Sequence, residues 1–206
     1  MRYLITERQN SKVKDQILRT IGERGIFHTL RRYSLNPKGL DIIFKDDFPD
    51  FDCDDLDSII MYYYVSNIIK GIKHIVFNDK KYKVLISIDG HTSSFNYRIT
   101  DLKNKDGIEV YATPFYEGNC LVPVEITEYY TIGEDGETKW YDDMGPIFDS
   151  FDVAPGTFSS FTDILDWYEN DFMEKLFEMV IPELSKLREH FKGSDPSYYM
   201  QIHNPE

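Results

Sequence analysis

The chain has 206 residues and a formal net charge of −13, with 41% apolar and 29% charged side chains. This size allows one large domain or two small ones, and neither a metal nor a disulfide is needed for folding. No run approaches the roughly 20 apolar residues of a membrane span. An acidic body is repelled by nucleic-acid phosphates and by anionic membranes, and only the first forty residues could reverse that locally.

The charge is unevenly distributed. Residues 1–40 carry nine Lys or Arg against three Asp or Glu, whereas the rest of the chain carries fourteen against thirty-three. Apolar spacing in the basic stretch predicts helices over about 7–22 and 25–34, and a third helix, PKGLDIIF, after an Asn36-Pro37 cap. The sequence therefore predicts a small basic helical subdomain over residues 1–44.

The next stretch, DDFPDFDCDDLD at residues 46–57, contains seven aspartates. Asp50, Asp52 and Asp54 have the spacing of the first ligands of an EF-hand, but the glycine and the glutamate that such a loop requires are absent. Apolar spacing predicts a helix over about 54–70, so three aspartates fall in its cap and first turn, where the helix dipole favours negative charge. A solvated loop that leads into a helix is favoured over a cation site or a mimic of nucleic acid.

The centre of the chain predicts short strands joined by short turns, which favours an antiparallel meander because parallel crossovers need a dozen or more residues. The predicted strands are HIVFN (74–78), YKVLISI (82–88), SFNYRIT (94–100), IEVYATPF (108–115), LVPVEITEYYTI (121–132) and ETKWYDD after GEDG. A long amphipathic helix is expected from Phe161 to about residue 192, ended or kinked by Pro182. The fold class is therefore α+β: N-terminal helices, an antiparallel sheet of about five or six strands and a long C-terminal helix. We expect an acidic body over 45–192 and a flexible tail over 193–206.

The residues that most often carry chemistry form no familiar motif. Cys53 and Cys120 lie far apart without a CxxC pattern, so a reducing compartment and a cytoplasmic location are the default. No histidine pair has metal-ligand spacing on a helix, and the sequence contains no GxSxG, HExxH, P-loop or GxGxxG motif. We therefore expect a non-enzymatic protein with no cofactor and no metal, although a carboxylate-based hydrolase leaves no local motif and stays an alternative.

The basic segment over residues 17–44 loosely has the order and lengths of the elements in a helix-turn-helix motif. Its third helix is too apolar to read base edges and should be packed. One interpretation pairs the basic residues with the acidic body. The alternative is a nucleic-acid-binding regulator whose phosphate contacts come from four side chains: Arg24, Arg31, Arg32 and Lys38.

Tyrosine is abundant, with fifteen residues in several clusters. A tyrosine has an apolar body and a polar tip, which suits protein interfaces. Acidic groups around an aromatic patch would select a basic partner. We predict that a partner-binding surface includes Tyr62, Tyr64, Tyr129, Tyr198 and Tyr199.

The opening ITERQ, followed by an amphipathic helix, and the segment GERGIFHTLRRYSLNPKGL resemble the start of uncharacterised proteins of large tailed bacteriophages. The resemblance covers about forty residues and implies no catalytic residue. It implies a virion component, or a factor that acts on the host, located in the host cytoplasm or the particle. The sequence thus predicts a non-enzymatic protein-binding or structural role, by self-association or with a basic partner. The alternatives are the nucleic-acid-binding regulator and an acidic inhibitor of a host nucleic-acid-binding protein.

Overall fold

The computed structural model describes residues 7–88, 95–113, 120–141, 147–152 and 158–200. The chain divides into two compact units, each assembled from separate stretches. The helical unit comprises Met1–Ile69, Pro114–Leu121 and Val153–Phe172, and the sheet unit comprises Lys70–Thr113, Val122–Asp152 and Met173–Glu206.

The helical unit contains the predicted N-terminal helices, with bounds close to those expected from apolar spacing. Its elements are α1 (Glu7–Arg24), α2 (Ile26–Tyr33), α3 (Pro37–Phe44), α4 (Cys53–Val65), α5 (Phe161–Trp167) and a π-helical turn (Tyr168–Phe172). Asn36 caps α3 as predicted, since its side chain accepts a hydrogen bond from the N–H of Gly39 at 2.7 Å. Asp52 caps α4 in the same way by accepting from the N–H of Asp55.

An aromatic cluster joins α3 to α5 inside the helical unit. Phe161 is fully buried, and its ring lies 5.8 Å from that of Phe44 and 5.1 Å from that of Phe48. The carboxylate of Asp41 accepts hydrogen bonds from the N–H of Phe161 at 2.6 Å and from the N–H and hydroxyl of Thr162. These bonds satisfy the first amides of α5, which have no partner within the helix.

The sheet unit contains a single antiparallel meander extended by two further strands. Its strands are β1 (Gly71–Phe77), β2 (Lys80–Ile88), β3 (Phe95–Asp101), β4 (Asp106–Ala112), β5 (Leu121–Ile132), β6 (Thr138–Tyr141), β7 (Ile147–Asp152) and β8 (Tyr198–Met200). The order across the sheet is β1-β2-β3-β4-β5-β6-β8, and β7 also pairs with β5. The α+β class is confirmed, but the described sheet has eight strands rather than the five or six expected.

The C-terminal helix α6 (Met173–His190) packs on one face of this sheet. The Phe177 ring lies 5.4 Å from that of Tyr82 on β2, and both side chains are buried. The Arg188 guanidinium forms ion pairs with Asp106 at 2.5 Å and Asp101 at 3.0 Å. Burial opposes ionisation of Asp101, but hydrogen bonds from Asn104 and Lys103 and the charge of Arg188 outweigh it and lower its pKa.

Pro182 does not end the helix, because α6 runs through it to His190. Its side chain is exposed, and so is Glu178 one turn earlier, whose carbonyl loses a helical donor at the proline. Pro182 therefore lies on the solvent-facing side of α6. Burial of the residues around this turn keeps the helix in place.

Two other expectations about organisation stay predictions, and the structure places the residues concerned as follows. The predicted boundary at residue 44 does not coincide with a unit boundary, because α4 and α5 belong to the helical unit. The tail that was expected to be flexible contributes β8, which pairs with β6. The N–H of Ser197 also donates to the carbonyl of Trp140 at 2.8 Å.

The two cysteines, which showed no disulfide pattern in the sequence, form a disulfide within the helical unit. Cys53 is the first residue of α4, and Cys120 directly precedes β5. Their Cα atoms lie 5.6 Å apart, within the usual range of roughly 4.4–6.8 Å for a disulfide. The expectation of a reducing compartment depended on the lack of such a pairing, and the disulfide removes this reason for it.

Candidate anion-binding surface

The turn between α1 and α2 is short and depends on Gly25. Gly25 has φ 78°, a backbone conformation that glycine adopts without steric cost. Its N–H donates to the carbonyl of Ile21 at 2.8 Å, and its carbonyl accepts from the hydroxyl of Thr29 at 2.8 Å. The turn therefore ends α1 at Arg24 and starts α2 one residue later.

The burial pattern of α2 sets the direction of its basic side chains. Its buried residues are Ile26, Thr29 and Leu30. The exposed side chains are His28, Arg31 and Arg32. With Arg24, the last residue of α1, they line an open depression of about 900 Å³.

The depression is rich in hydrogen-bond donors. Each guanidinium carries five N–H groups in a planar fork that matches the oxygens of a phosphate or carboxylate. Among the described residues, no carboxylate lies within ion-pair distance of Arg24, Arg31 or Arg32. The Arg32 guanidinium lies 5.9 Å from the Tyr33 ring centroid. The surface therefore offers three positive charges to a ligand.

A nearby acidic residue is already engaged. Arg19 donates a hydrogen bond to the Glu23 carboxylate at 2.7 Å. This bond and the charge of Arg19, with smaller effects of Arg24 and Arg32, lower the pKa of Glu23. Glu23 is thus ionised at neutral pH and reduces the positive potential next to the depression.

The structure brings together three of the four basic residues predicted to meet phosphates. Lys38 is exposed on α3 but is not among the residues that line the depression. His28 was not predicted. The sequence feature that could have indicated it is its spacing from the arginines. His28 follows Arg24 by four residues and precedes Arg31 and Arg32 by three and four residues.

Helix α3 does not present a base-reading face. Pro37, Leu40 and Phe44 are buried, and Asp41 is committed to the first amides of α5. The prediction that this helix packs instead of reading DNA agrees with that placement. Arginine contacts to phosphates would carry no base-sequence information by themselves.

Three of the five tyrosines predicted to bind a partner are core residues. Tyr62 and Tyr64 are each 6% exposed and Tyr129 is 3% exposed. The Tyr62 ring packs edge-on against Phe27, and the Tyr129 hydroxyl donates to Asp106 at 3.2 Å. Side chains this buried cannot form an exposed aromatic patch.

The two C-terminal tyrosines lie on β8. Tyr198 is 36% exposed, its ring stacks on Trp140 at 5.9 Å, and its hydroxyl donates to Glu128 at 3.0 Å. The side chain of Tyr199 lies outside the described part of the structure. The sequence could not distinguish buried tyrosines from surface tyrosines, because core packing and interface binding favour the same residue type.

The aspartate run is used mainly by the local structure. Asp52 caps α4, Asp54 and Asp55 lie in its first turn, and Asp47 pairs with Lys14 at 2.7 Å. Within the described ranges, no group of three or more His, Cys, Asp or Glu side chains is arranged to hold a metal ion. These contacts agree with the favoured prediction of a loop that leads into a helix.

Comparisons of the chain with protein-family models, with curated proteins and with solved structures found no match. None of the described helices is both long and apolar enough to cross a membrane.

Proposed function

We propose that this chain is a non-enzymatic protein that binds the phosphate backbone of nucleic acid through Arg24, Arg31 and Arg32. One observation supports this most: the three arginines and His28 surround one open depression in a chain whose net charge is −13. Electrostatic repulsion by the rest of the molecule opposes binding elsewhere on the surface. Local concentration of the basic residues gives the nucleic acid a defined place to bind.

The expected binding is independent of base sequence and sensitive to salt. The packed α3 offers no set of polar side chains for base edges, so phosphate contacts supply the affinity. Three arginine contacts predict a slope of about −2 to −3 in a plot of log affinity against log salt concentration. His28 adds a further positive charge when it is protonated.

The proposal is tested with a fluorescently labelled DNA duplex and fluorescence anisotropy at several salt concentrations. We expect the wild-type chain to bind at low salt and the variant Arg31→Glu/Arg32→Glu to bind about tenfold or more weakly, with a shallower salt dependence. Glu23→Gln should bind more tightly, because it removes a negative charge beside the depression.

A matched control distinguishes the effect of the arginines at the depression from the effect of net charge on binding. The variant Lys12→Glu/Lys192→Glu changes the charge by the same amount at two exposed lysines outside the depression. It should bind much like the wild-type chain. An equal loss of affinity in both double variants, or no binding by the wild-type chain at low salt, would exclude the proposed site. Circular dichroism confirms that each variant is folded.

The other predicted roles remain predictions. A structural role in a bacteriophage particle draws no support from the buried tyrosines. The acidic inhibitor would need carboxylates on the surface, and five aspartates of the run are exposed, although Asp52 also caps α4 and Asp47 pairs with Lys14. The arginine cluster favours direct binding of nucleic acid over both.

A further inference from the structure

Among the described strands, the path through the sheet ends at β1 and at the three-residue strand β8, and β7 pairs with β5 beside this path. Among the described strands, β1 pairs only with β2, and β7 pairs only with β5. Each strand therefore has one edge without a neighbouring strand. Such an edge is a template for pairing with another chain unless its side chains prevent that.

The turn between β1 and β2 shows which backbone groups of β1 face outward. Asn78 and Asp79 both have positive φ, 47° and 60°, as in a two-residue type I′ turn. Phe77 and Lys80 flank this turn and form a hydrogen-bonded pair, after which hydrogen-bonded and non-hydrogen-bonded pairs alternate along the ladder.

Three residues of β1 consequently point their backbone N–H and C=O groups away from β2. They are Ile72, His74 and Val76, which face Leu85, Lys83 and Lys81 in the non-hydrogen-bonded pairs. An added strand can therefore bond to them without disturbing the β1–β2 ladder.

The side chains of the same residues leave apolar surface uncovered. Ile72 is 55% exposed and Val76 is 67% exposed, and Leu85 opposite Ile72 is 36% exposed. Exposed apolar side chains beside a free sheet edge gain free energy when a partner covers them.

The free edges at β1 and β7 have opposite charges. Residues 70–83, which include β1 and its turn, carry five lysines and one aspartate. Strand β7 has the sequence IFDSFD, with exposed Asp149 and Asp152 and no basic residue. Its Phe148 is 67% exposed. Each edge thus combines an exposed apolar group with charge of one sign.

We propose that β7 of one copy of this chain adds to the free edge of β1 of a second copy. Pairing β1 with β1 would bring two lysine-rich hairpins together, which like charges disfavour. Pairing β1 with β7 joins opposite charges and covers Val76 or Ile72 with apolar groups. Because the two surfaces differ, the contact is head-to-tail and leaves a free β1 and a free β7 on every assembly, so growth stays open. This inference is independent of nucleic-acid binding.

Sedimentation velocity over a range of concentrations tests the proposal with two charge-reversal variants. Lys80→Glu/Lys81→Glu/Lys83→Glu changes the net charge of residues 70–83 from +4 to −2 and so reverses the basic edge, and Asp149→Lys/Asp152→Lys reverses the acidic edge. We expect the wild-type chain to form concentration-dependent species larger than the 24.3 kDa monomer. Each variant alone should remain monomeric, because its two edges then carry charge of the same sign. Mixing the two variants should restore association.

A third variant tests the backbone. His74→Pro removes an N–H that points to the free edge and spares the bonds from β1 to β2, so it should abolish association while the far-ultraviolet circular dichroism stays that of the wild type. A wild-type chain that stays monomeric up to its solubility limit would overturn the proposal. So would a defined dimer that the Asp149→Lys/Asp152→Lys variant leaves unchanged.

Discussion

At the scale of single residues, Asp57 is the carboxylate most strongly affected by its surroundings. Burial, with a smaller effect of the Asp54 charge, raises its pKa from 3.8 to about 6. The folded chain therefore keeps a proton that the unfolded chain releases near pH 4. The free energy of unfolding should fall as the pH rises from about 4 to 6, and it should be constant with respect to this group above that window.

The substitution Asp57→Asn tests this linkage. We expect the variant to lose the decline between pH 4 and 6 and to be more stable than the wild-type chain at pH 7 by about 1–2 kcal/mol. Urea denaturation at several pH values measures both effects. Asp166→Asn, at an exposed position on α5, is the control and should leave the decline in place. A decline that persists in Asp57→Asn would show that another group causes it.

At the scale of elements, the β3–β4 hairpin depends on one glycine. A Cβ atom at Gly107 would collide with the carbonyl oxygen of Ile99 and the ring and hydroxyl of Tyr130. That hydroxyl lies 2.7 Å from the hydroxyl of Thr100, so Tyr130 has a fixed place. The close approach of three strands at this point requires a residue without a side chain.

We predict that Gly107→Ala lowers the free energy of unfolding by about 1–3 kcal/mol, because the neighbouring strand and ring must shift. Gly22→Ala is a matched comparison, since Gly22 lies in α1 with no atom near its hypothetical Cβ. That change should raise stability by up to about 1 kcal/mol. Chemical denaturation of the two variants measures the difference, and equal effects would contradict the packing argument.

The elements that the sequence predicted are those with strong local patterns. The sequence itself shows apolar residues alternating along β2, where burial follows the same alternation, and apolar residues spaced three and four positions apart along α1. Strands β7 and β8 were not predicted, because such short strands form only when a neighbouring strand, here β5 or β6, is present to pair with them. Pro182 does not end the helix for the same reason, since packing of α6 outweighs the local propensity.

The candidate site was predicted in part. Arg24, Arg31 and Arg32 were singled out from the sequence as basic residues, and the short turn at Gly25 between α1 and α2 places them together. The sequence did not show that Tyr62 and Tyr129 of the predicted tyrosine surface are buried, because their burial depends on helices and strands distant in sequence. The opposite charges of β1 and β7 were equally hidden, because the sequence does not show which strands lie at the edges.

At the scale of the whole molecule, the disulfide between Cys53 and Cys120 closes a long loop. The two residues are separated by 67 positions. A covalent link over that distance reduces the conformational entropy of the unfolded chain, typically by about 2–4 kcal/mol in stability.

The expected consequence is a protein whose stability depends on redox conditions. Cys53→Ala/Cys120→Ser should unfold at lower denaturant concentration than the oxidised wild-type chain, by about 2–4 kcal/mol. The reduced wild-type chain should resemble this variant, and reductant should not change the variant itself. Urea denaturation with and without reductant makes the comparison, and identical curves for oxidised and reduced wild-type chain would contradict it.

The division of the helical unit into three separate stretches has a consequence during synthesis. Helices α1 to α4 are complete by residue 69, but Phe161, which fills the space beside Phe44 and Phe48, belongs to the last stretch. At about 5–20 residues per second, a ribosome needs roughly 5–20 s to add the intervening residues. During that interval the nascent helices expose an apolar face, and they need either a chaperone or a slow rate of aggregation until α5 emerges.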